Sequence, residues 1–211
     1  GTRHVLDACL RTGFEAFVHA GSSAEYGFKD HPPSEDEALE PNSHYAVSKA
    51  AATWHCRQTA GATGARVMTL RLSSVYGPWE EPRRFVPALA LKGLEGRLPP
   101  LVDPRVARDF VYVDDVCDAF LAAAASGKAG AVYNVGTGVQ TTMKAAVSVA
   151  RRILGIAEAP CWGSMPDRAW DTRSWVSDNR KMRRELGLRP RHSFEQGFRK
   201  TVEWLQGNPR I

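Results

Sequence analysis

The sequence predicts an α/β chain built on a parallel sheet, and three observations predict it. Apolar segments short enough for buried strands alternate with longer stretches of helical period, the pattern of βαβ units. A tyrosine and a lysine four residues apart, Tyr45 and Lys49, lie in one of those helical stretches. Ahead of it, Gly21-Ser-Ser-Ala-Glu-Tyr-Gly27 ends a strand, so that hydroxyls and a phenol converge at the carboxyl end of the sheet, where ligands of open α/β sheets bind.

The elements follow in order. Residues 1–13 read as an amphipathic helix stopped by Gly13. Phe14-Glu-Ala-Phe-Val-His-Ala20 is apolar and short, as a buried parallel strand is. A Pro- and acid-rich loop, 30–37, precedes a helix of roughly twenty residues that starts near Ser43. Ala65 to Leu72 is the next buried strand. After Tyr76-Gly-Pro78 the pattern loosens into a short helix near Phe85 to Leu94, a Leu-Pro-Pro-Leu-Val segment at 98–102 and the strand-like Asp109 to Val113. Asp114 and Asp115 are expected to cap an alanine-rich helix ending near Ser126. Ala131 to Val135 is one more strand, and Thr141 or Thr142 can cap the helix after it. The remainder reads as mostly helical, closing with 193–205. No internal repeat or low-complexity linker is present.

Composition limits the function classes. The chain has 211 residues, 43% hydrophobic and 24% charged, enough for a sizeable core. No apolar run nears the roughly 20 residues that cross a bilayer, and the first residues lack a secretory core, so a cytoplasmic, non-membrane protein is expected. Cys9, Cys56, Cys117 and Cys161 are scattered without metal spacing, which predicts reduced, buried thiols and no metal site. The net charge of +5 is spread along the chain without a basic run, so no nucleic-acid partner is expected. Arg180-Lys-Met-Arg-Arg184, the densest basic cluster, reads as a solvated helix face.

The chemistry rests on Ser22, Tyr45 and Lys49. On a helix Tyr45 and Lys49 share a face, and an ammonium beside a phenol favours the phenolate. Tyr45 is then equipped to exchange a proton with a substrate hydroxyl while Ser22 holds the same oxygen. Taken alone, Tyr-x-x-x-Lys reads sooner as a packing tyrosine and a solvated lysine.

Six motifs in order decide between those readings: Ser-Ser-Ala-Glu-Tyr-Gly (22–27), Tyr-Ala-Val-Ser-Lys (45–49), Arg-Leu-Ser-Ser-Val-Tyr-Gly-Pro (71–78), Arg-Asp-Phe-Val-Tyr-Val-Asp-Asp (108–115), Tyr-Asn-Val-Gly-Thr-Gly (133–138) and Glu-Leu-Gly-Leu-Arg-Pro (185–190). Together they resemble the extended short-chain dehydrogenase/reductase family, in its NAD-dependent nucleotide-sugar epimerase/dehydratase branch. The resemblance implies a Rossmann-type parallel sheet with a small α/β substrate-binding domain. Residues 1–78 are expected to form a partial Rossmann-type domain with the catalytic residues. Residues 79–211 are expected to be mainly the substrate domain, with 104–140 returning to the sheet.

The resemblance also implies residue roles. Ser22, four before Tyr26, matches the catalytic Ser/Thr; Tyr45 matches the general acid/base; Lys49 matches the residue that readies it and holds the nicotinamide ribose. Tyr45, Lys49 and Leu72 are the implied cofactor contacts. Ser23, Ser74, Arg108 and Arg168 are the implied substrate contacts. Arg108 matches a diphosphate clamp, a task for a planar guanidinium; its alternative is an ion pair with Asp109, Asp114 or Asp115. Arg168 resembles the arginine of an Arg-Pro-Gly-Asp segment, although Ala169 and Trp170 replace Pro-Gly, and Ser74 stands where the family usually has Asn. The family's 4,6-dehydratases carry a catalytic Glu two residues before the motif tyrosine. Here that residue is Ala24, and Glu25 beside it is expected to point to the opposite face of a strand.

No Gly-x-x-Gly-x-x-Gly or Gly-x-Gly-x-x-Gly turn is present. Gly136-Thr-Gly138 has Thr141 at the third glycine position, and a helix cap explains it. The chain therefore resembles the later part of such an enzyme, lacking the Gly-rich first βαβ. It is expected to expose sheet edges and to bind NAD weakly by itself. The reading is a fragment of an NAD(P)-dependent nucleotide-sugar epimerase acting on a nucleotide-diphosphate sugar, homodimeric when complete. The alternatives are a nucleotide 4-keto-6-deoxy-sugar reductase and a non-catalytic nucleotide-sugar-binding or assembly protein.

Overall fold

The computed structural model describes residues 1–166 and 174–208. Helix α1 (Thr2–Thr12) ends at Gly13, whose φ of 82° is open to glycine at little cost. Strand β1 (Phe17–Ser22) starts three residues later than its apolar segment and runs into a one-turn 3₁₀ helix (Ser23–Tyr26). Helix α2 (His44–Thr63) has 20 residues, with Ser43 capping its start and Gly64 its left-handed end. Strand β2 (Val67–Leu72) follows. Next come β3 (Ser74–Tyr76), α3 (Phe85–Leu94), β4 (Ala107–Arg108), β5 (Phe110–Tyr112) and α4 (Val113–Ser126). Then β6 (Val132–Val135), β7 (Thr141–Thr142), α5 (Met143–Leu154), α6 (Arg180–Glu185) and α7 (Phe194–Gly207) complete the described elements.

The main sheet is parallel, in the order β1-β2-β6, with Ser22 opposite Leu72 and Leu72 opposite Val135. All four residues of β6 are buried, as expected of a strand covered on both faces. Two further pairs, parallel β3-β5 and antiparallel β4-β7, lie outside it. Helix α2 packs on β1 and β2, where Leu6, Cys56, Ala60 and Val67 form one apolar cluster. A second core gathers Met68, Leu70, Val111, Val116, Tyr133 and Met182. The third joins the aromatics Tyr76, Phe110, Tyr112 and Phe198 to aliphatic side chains of α3, α5 and α7 such as Leu89, Val147 and Leu205. No helix among the described residues is long and apolar enough to cross a membrane.

Several expectations change. Asp114 and Asp115 sit in the first turn of α4, but neither caps it. Buried Asp115 instead accepts from the backbone N–H groups of Arg191 and His192 and faces the His192 imidazole at 3.0 Å, tying the last segment to α4. Of the four free cysteines only Cys56 is buried; Cys117 and Cys161 are exposed. The described parts of 155–179 are irregular rather than helical. Thr142, one of the two threonines expected to cap α5, does so by accepting from Ala145 N–H.

One carboxyl makes stability pH-dependent. Glu80 lines an open groove with Trp79 and Arg84, its side chain only 16% exposed, and Arg84 Nε lies 3.4 Å from Oε1. Burial pushes this carboxyl up to about 7 from 4.5, against the pull of Arg84. The folded chain thus favours the neutral form, and the stability this adds is complete below the ordinary carboxylate pKa and lost as pH rises through about 7. Glu80→Gln is expected to match wild type near ~pH 4 and exceed it by up to about 3 kcal/mol near ~pH 8 in urea unfolding. An advantage that does not grow between the two excludes the assignment.

Candidate active site

The site grows from the carboxyl ends of β1 and β2. Ser43 Oγ accepts from Ala46 N–H at 3.1 Å, which fixes the start of α2 and places Tyr45 in its first turn and Lys49 one turn on. Tyr45 is 56% exposed. The Lys49 ammonium donates to the Ala20 carbonyl at 2.8 Å and lies 5.7 Å from the centre of the Tyr45 ring. Ala20 stands two residues before Ser22 on β1, so Lys49 ties the Tyr45 helix to the serine strand. Leu72 is the register partner of Ser22 at the end of β2.

At Ser22 the chain turns. Ser22 Oγ accepts from Ala24 N–H at 3.2 Å, and Glu25 Oε1 accepts from Ser22 N–H at 2.8 Å, a capping box for the 3₁₀ turn. Glu25 is therefore not on a strand, and strand alternation is not what removes it from the site. It is fully buried, and its other oxygen accepts from Arg71 Nε at 2.8 Å. The Arg71 guanidinium also donates to Tyr26 Oη at 2.8 Å and to the Glu35 carbonyl at 3.2 Å. Tyr26 in turn donates to Asn134 Oδ1 at 2.7 Å, and Glu35 Oε1 accepts from Asn134 N–H at 2.8 Å. Burial pushes the Tyr26 phenol up to about 12 and raises the Glu35 carboxyl.

The substrate side is joined by Trp175. Its indole N–H donates to Ser23 Oγ at 3.0 Å, and the Arg108 guanidinium lies over its ring at 5.3 Å. Arg108 also donates to the Ala107 carbonyl, while Ser74 N–H donates to the Asp109 carbonyl at 2.9 Å. Ser23, Arg108 and Ser74 are thus linked through one aromatic ring and one short strand pair. Of the carboxylates near it in sequence, Asp109 accepts from Thr137 and Gly138, Asp115 holds Arg191 and His192, and Asp114 lies 3.7 Å from Lys200. Arg168 lies outside the described residues.

The backbone N–H groups of Thr137 and Gly138 both donate to the buried Asp109 carboxylate, at 2.8 and 3.1 Å. These amides are taken up by an internal carboxyl group, whose pKa burial raises, so the loop does not present them to a phosphate. A Cβ on Gly136 would stand 2.4 Å from Asp109 Oδ2, which explains that glycine by close approach. Among the described residues no group of three His, Cys, Asp or Glu is placed to hold a metal.

Sequence reasoning missed Trp175 and the Arg71–Glu35–Asn134 connections. Nothing local marks Trp175, which reaches Ser23 from 152 positions away. Glu25 did carry a signal, because Ser22-x-x-Glu25 is itself a capping-box spacing.

A model of the NAD dependent epimerase/dehydratase family matches residues 1–136. Over 99% of its length the chain is 32% identical to a dTDP-glucose 4,6-dehydratase of Streptomyces antibioticus and covers 62% of that protein. It spans less than two thirds of the curated relatives it matches, 62 to 65% in the first three. Its fold superposes with a TM-score of 0.90 on UDP-glucose 4-epimerase of Thermotoga maritima, solved with UDP-glucose, at 28% identity over 99% of this chain and 69% of that one. UDP-glucose 4-epimerase of Thermus thermophilus, solved with NAD, gives 0.87 at 30% identity over 98% and 69%. The architecture is thus the Rossmann-like α/β fold of these enzymes.

Proposed function

We infer that this chain, which belongs to the NAD dependent epimerase/dehydratase family, carries the proton-transfer and sugar-binding parts of a nucleotide-sugar epimerase that uses NAD or NADP. Its substrate is a nucleotide-diphosphate sugar. The observation that carries the choice of epimerisation is at residues 24 and 25. Eliminating water from a sugar needs an additional acid/base carboxylate, and Ala24 supplies none. The neighbouring carboxylate, Glu25, is fully buried and spends both oxygens on Ser22 N–H and Arg71.

The donor set suits the nicotinamide end of the cofactor. An ammonium and an exposed phenol stand on one helix face, chemistry fit for ribose hydroxyls and a reacting sugar oxygen, and Leu72 is the register partner of Ser22. When bound, NAD(P) supplies the acceptor for the hydride of the sugar carbon, C4 in this reading. Tyr45 takes the proton of the adjoining hydroxyl and later returns it. Ser22 Oγ orients that oxygen, and Lys49, anchored on Ala20, keeps a positive charge near the phenolate. Arg108 and Ser23, joined by Trp175, form the side that receives the diphosphate sugar, with Ser74 close by and Arg168 as a further contact.

The test is product analysis with the intact protein, NAD(P) and a panel of nucleotide hexoses. An epimer of unchanged mass is expected; a product lighter by one water sinks the reading in favour of a dehydratase, which the 32% identity to the Streptomyces antibioticus enzyme favours. Stoichiometric NADPH consumption on a 4-keto-6-deoxy sugar indicates the reductase, and binding without turnover indicates the non-catalytic role. A homodimer, in which α2 supplies half of a helical interface, belongs to the same proposal: α2 leaves Val47 and Trp54 more than half exposed.

A further inference from the structure

Arg71 and Glu25 form an ion pair that is 2% and 0% exposed, far from any solvent that would repay its desolvation. Such pairs rarely stabilise a fold more than apolar residues of the same shape would. Geometry distinguishes this one. The guanidinium reaches three separate segments at once: the Ser22–Tyr26 turn through Glu25 and the Tyr26 phenol, the acidic loop through the Glu35 carbonyl, and β6 through Tyr26 and Asn134. It also lies 4.6 Å over the Tyr26 ring. Asn134 extends the tie by donating to the Pro33 carbonyl at 2.9 Å and the Asp178 carbonyl at 3.0 Å, three residues beyond Trp175.

We propose that Arg71 is a positioning residue, which acts through Glu25 and Tyr26 to hold the Ser22–Ser23 turn, the 33–37 loop and the Trp175 segment in one fixed arrangement. The proposal rests on Ser22 and Ser23 belonging to the site. The chain of contacts is closed at both ends. Glu25 Oε1 holds Ser22 by its backbone N–H, which leaves the Ser22 hydroxyl direction set by the turn itself. Ser23, next in that turn, meets Trp175, whose segment Asn134 fixes from the other side. Lysine in place of Arg71 keeps the charge but carries its donors on one nitrogen, so it cannot serve Glu25 on one side and Tyr26 with the Glu35 carbonyl on the other, as Nε and Nη1 do. Glutamine in place of Glu25 keeps the shape and one carbonyl acceptor but removes the charge that draws Arg71.

The experiment compares Arg71→Lys and Glu25→Gln with the wild-type intact protein, by amide hydrogen exchange resolved to single residues and by steady-state kinetics. In Arg71→Lys the amides of Ser22 and Asn134, which lie on different segments, are expected to exchange faster together, by tenfold or more on the order-of-magnitude scale of local opening, while Ala46 at the α2 cap stays unchanged. Turnover is expected to fall by about tenfold to a hundredfold with KM within about threefold of wild type, the mark of misplacement rather than lost binding. Faster exchange at Ser22 alone, or full turnover with both amides opened, overturns the proposal. Should Arg71→Lys not fold, the same two readouts in Glu25→Gln decide it by the same criteria. A wild-type protein that transfers no hydride sinks the functional reading instead, and the paired amide exchange still tests the positioning.

Discussion

Tyr45→Phe is expected to lower turnover of the intact enzyme by roughly a thousandfold and to leave its stability and nucleotide-sugar affinity nearly unchanged. The separation follows from where the residue stands. Tyr45 is 56% exposed in the first turn of α2, and that turn is secured by Ser43 and the helix backbone rather than by the phenol. The ring that stays in the phenylalanine variant keeps its place 5.7 Å from the Lys49 ammonium, and Lys49 keeps its bond to Ala20. What disappears is the phenolic hydroxyl, the group to which the proposed mechanism gives the proton transfer. Calorimetric binding of the nucleotide sugar, thermal unfolding and kcat are measured on the same preparation. A variant with wild-type kcat removes Tyr45 from the mechanism, and one that loses affinity in step with kcat assigns it to binding instead.

The parts of this site that are legible in the sequence are those set by local chemistry. The Ser43 cap, the Tyr45 and Lys49 spacing and the Gly64 stop all lie within one helix, and each acts on neighbours three or four positions away. Strands β1, β2 and β6 are visible because short, mainly apolar runs mark buried parallel strands, the polar residues in them being exceptions that only the folded structure explains. Two-residue strands such as β4 and β7 are too short to hold any period, and their pairing of Arg108 with Thr141 is a tertiary fact. The same holds for Arg71 and Glu25, which are 46 positions apart. Asp114 and Asp115 mislead for a different reason. An acidic pair before an alanine-rich run satisfies the cap pattern, but the backbone N–H groups of Arg191 and His192 claim Asp115, a competitor that no local window contains.

Gly27→Ala is expected to destabilise the chain by about 3 to 5 kcal/mol, a large part of the stability of a typical domain. Gly27 closes the turn that carries Ser22, Ser23 and Tyr26, at φ 70° and ψ −147°, a region that side chains with a Cβ scarcely enter. A Cβ there would stand 2.0 Å from the Glu40 carbonyl oxygen, and that neighbour is backbone, so no rotamer change relieves the clash. The 38–42 segment cannot simply move away, because Lys29 and Glu40 pair at 2.9 Å and Ser43 begins α2 just beyond. Relief must come from the turn, which shifts Tyr26 off Arg71 and Asn134 and Ser23 off Trp175. Stability and activity should therefore fall together, unlike in Tyr45→Phe, where only activity falls. Urea unfolding with kcat read on the folded fraction separates the two: a variant within about 1 kcal/mol of wild type contradicts the clash. A destabilised variant whose folded fraction turns over at the wild-type rate contradicts the coupling of this turn to catalysis.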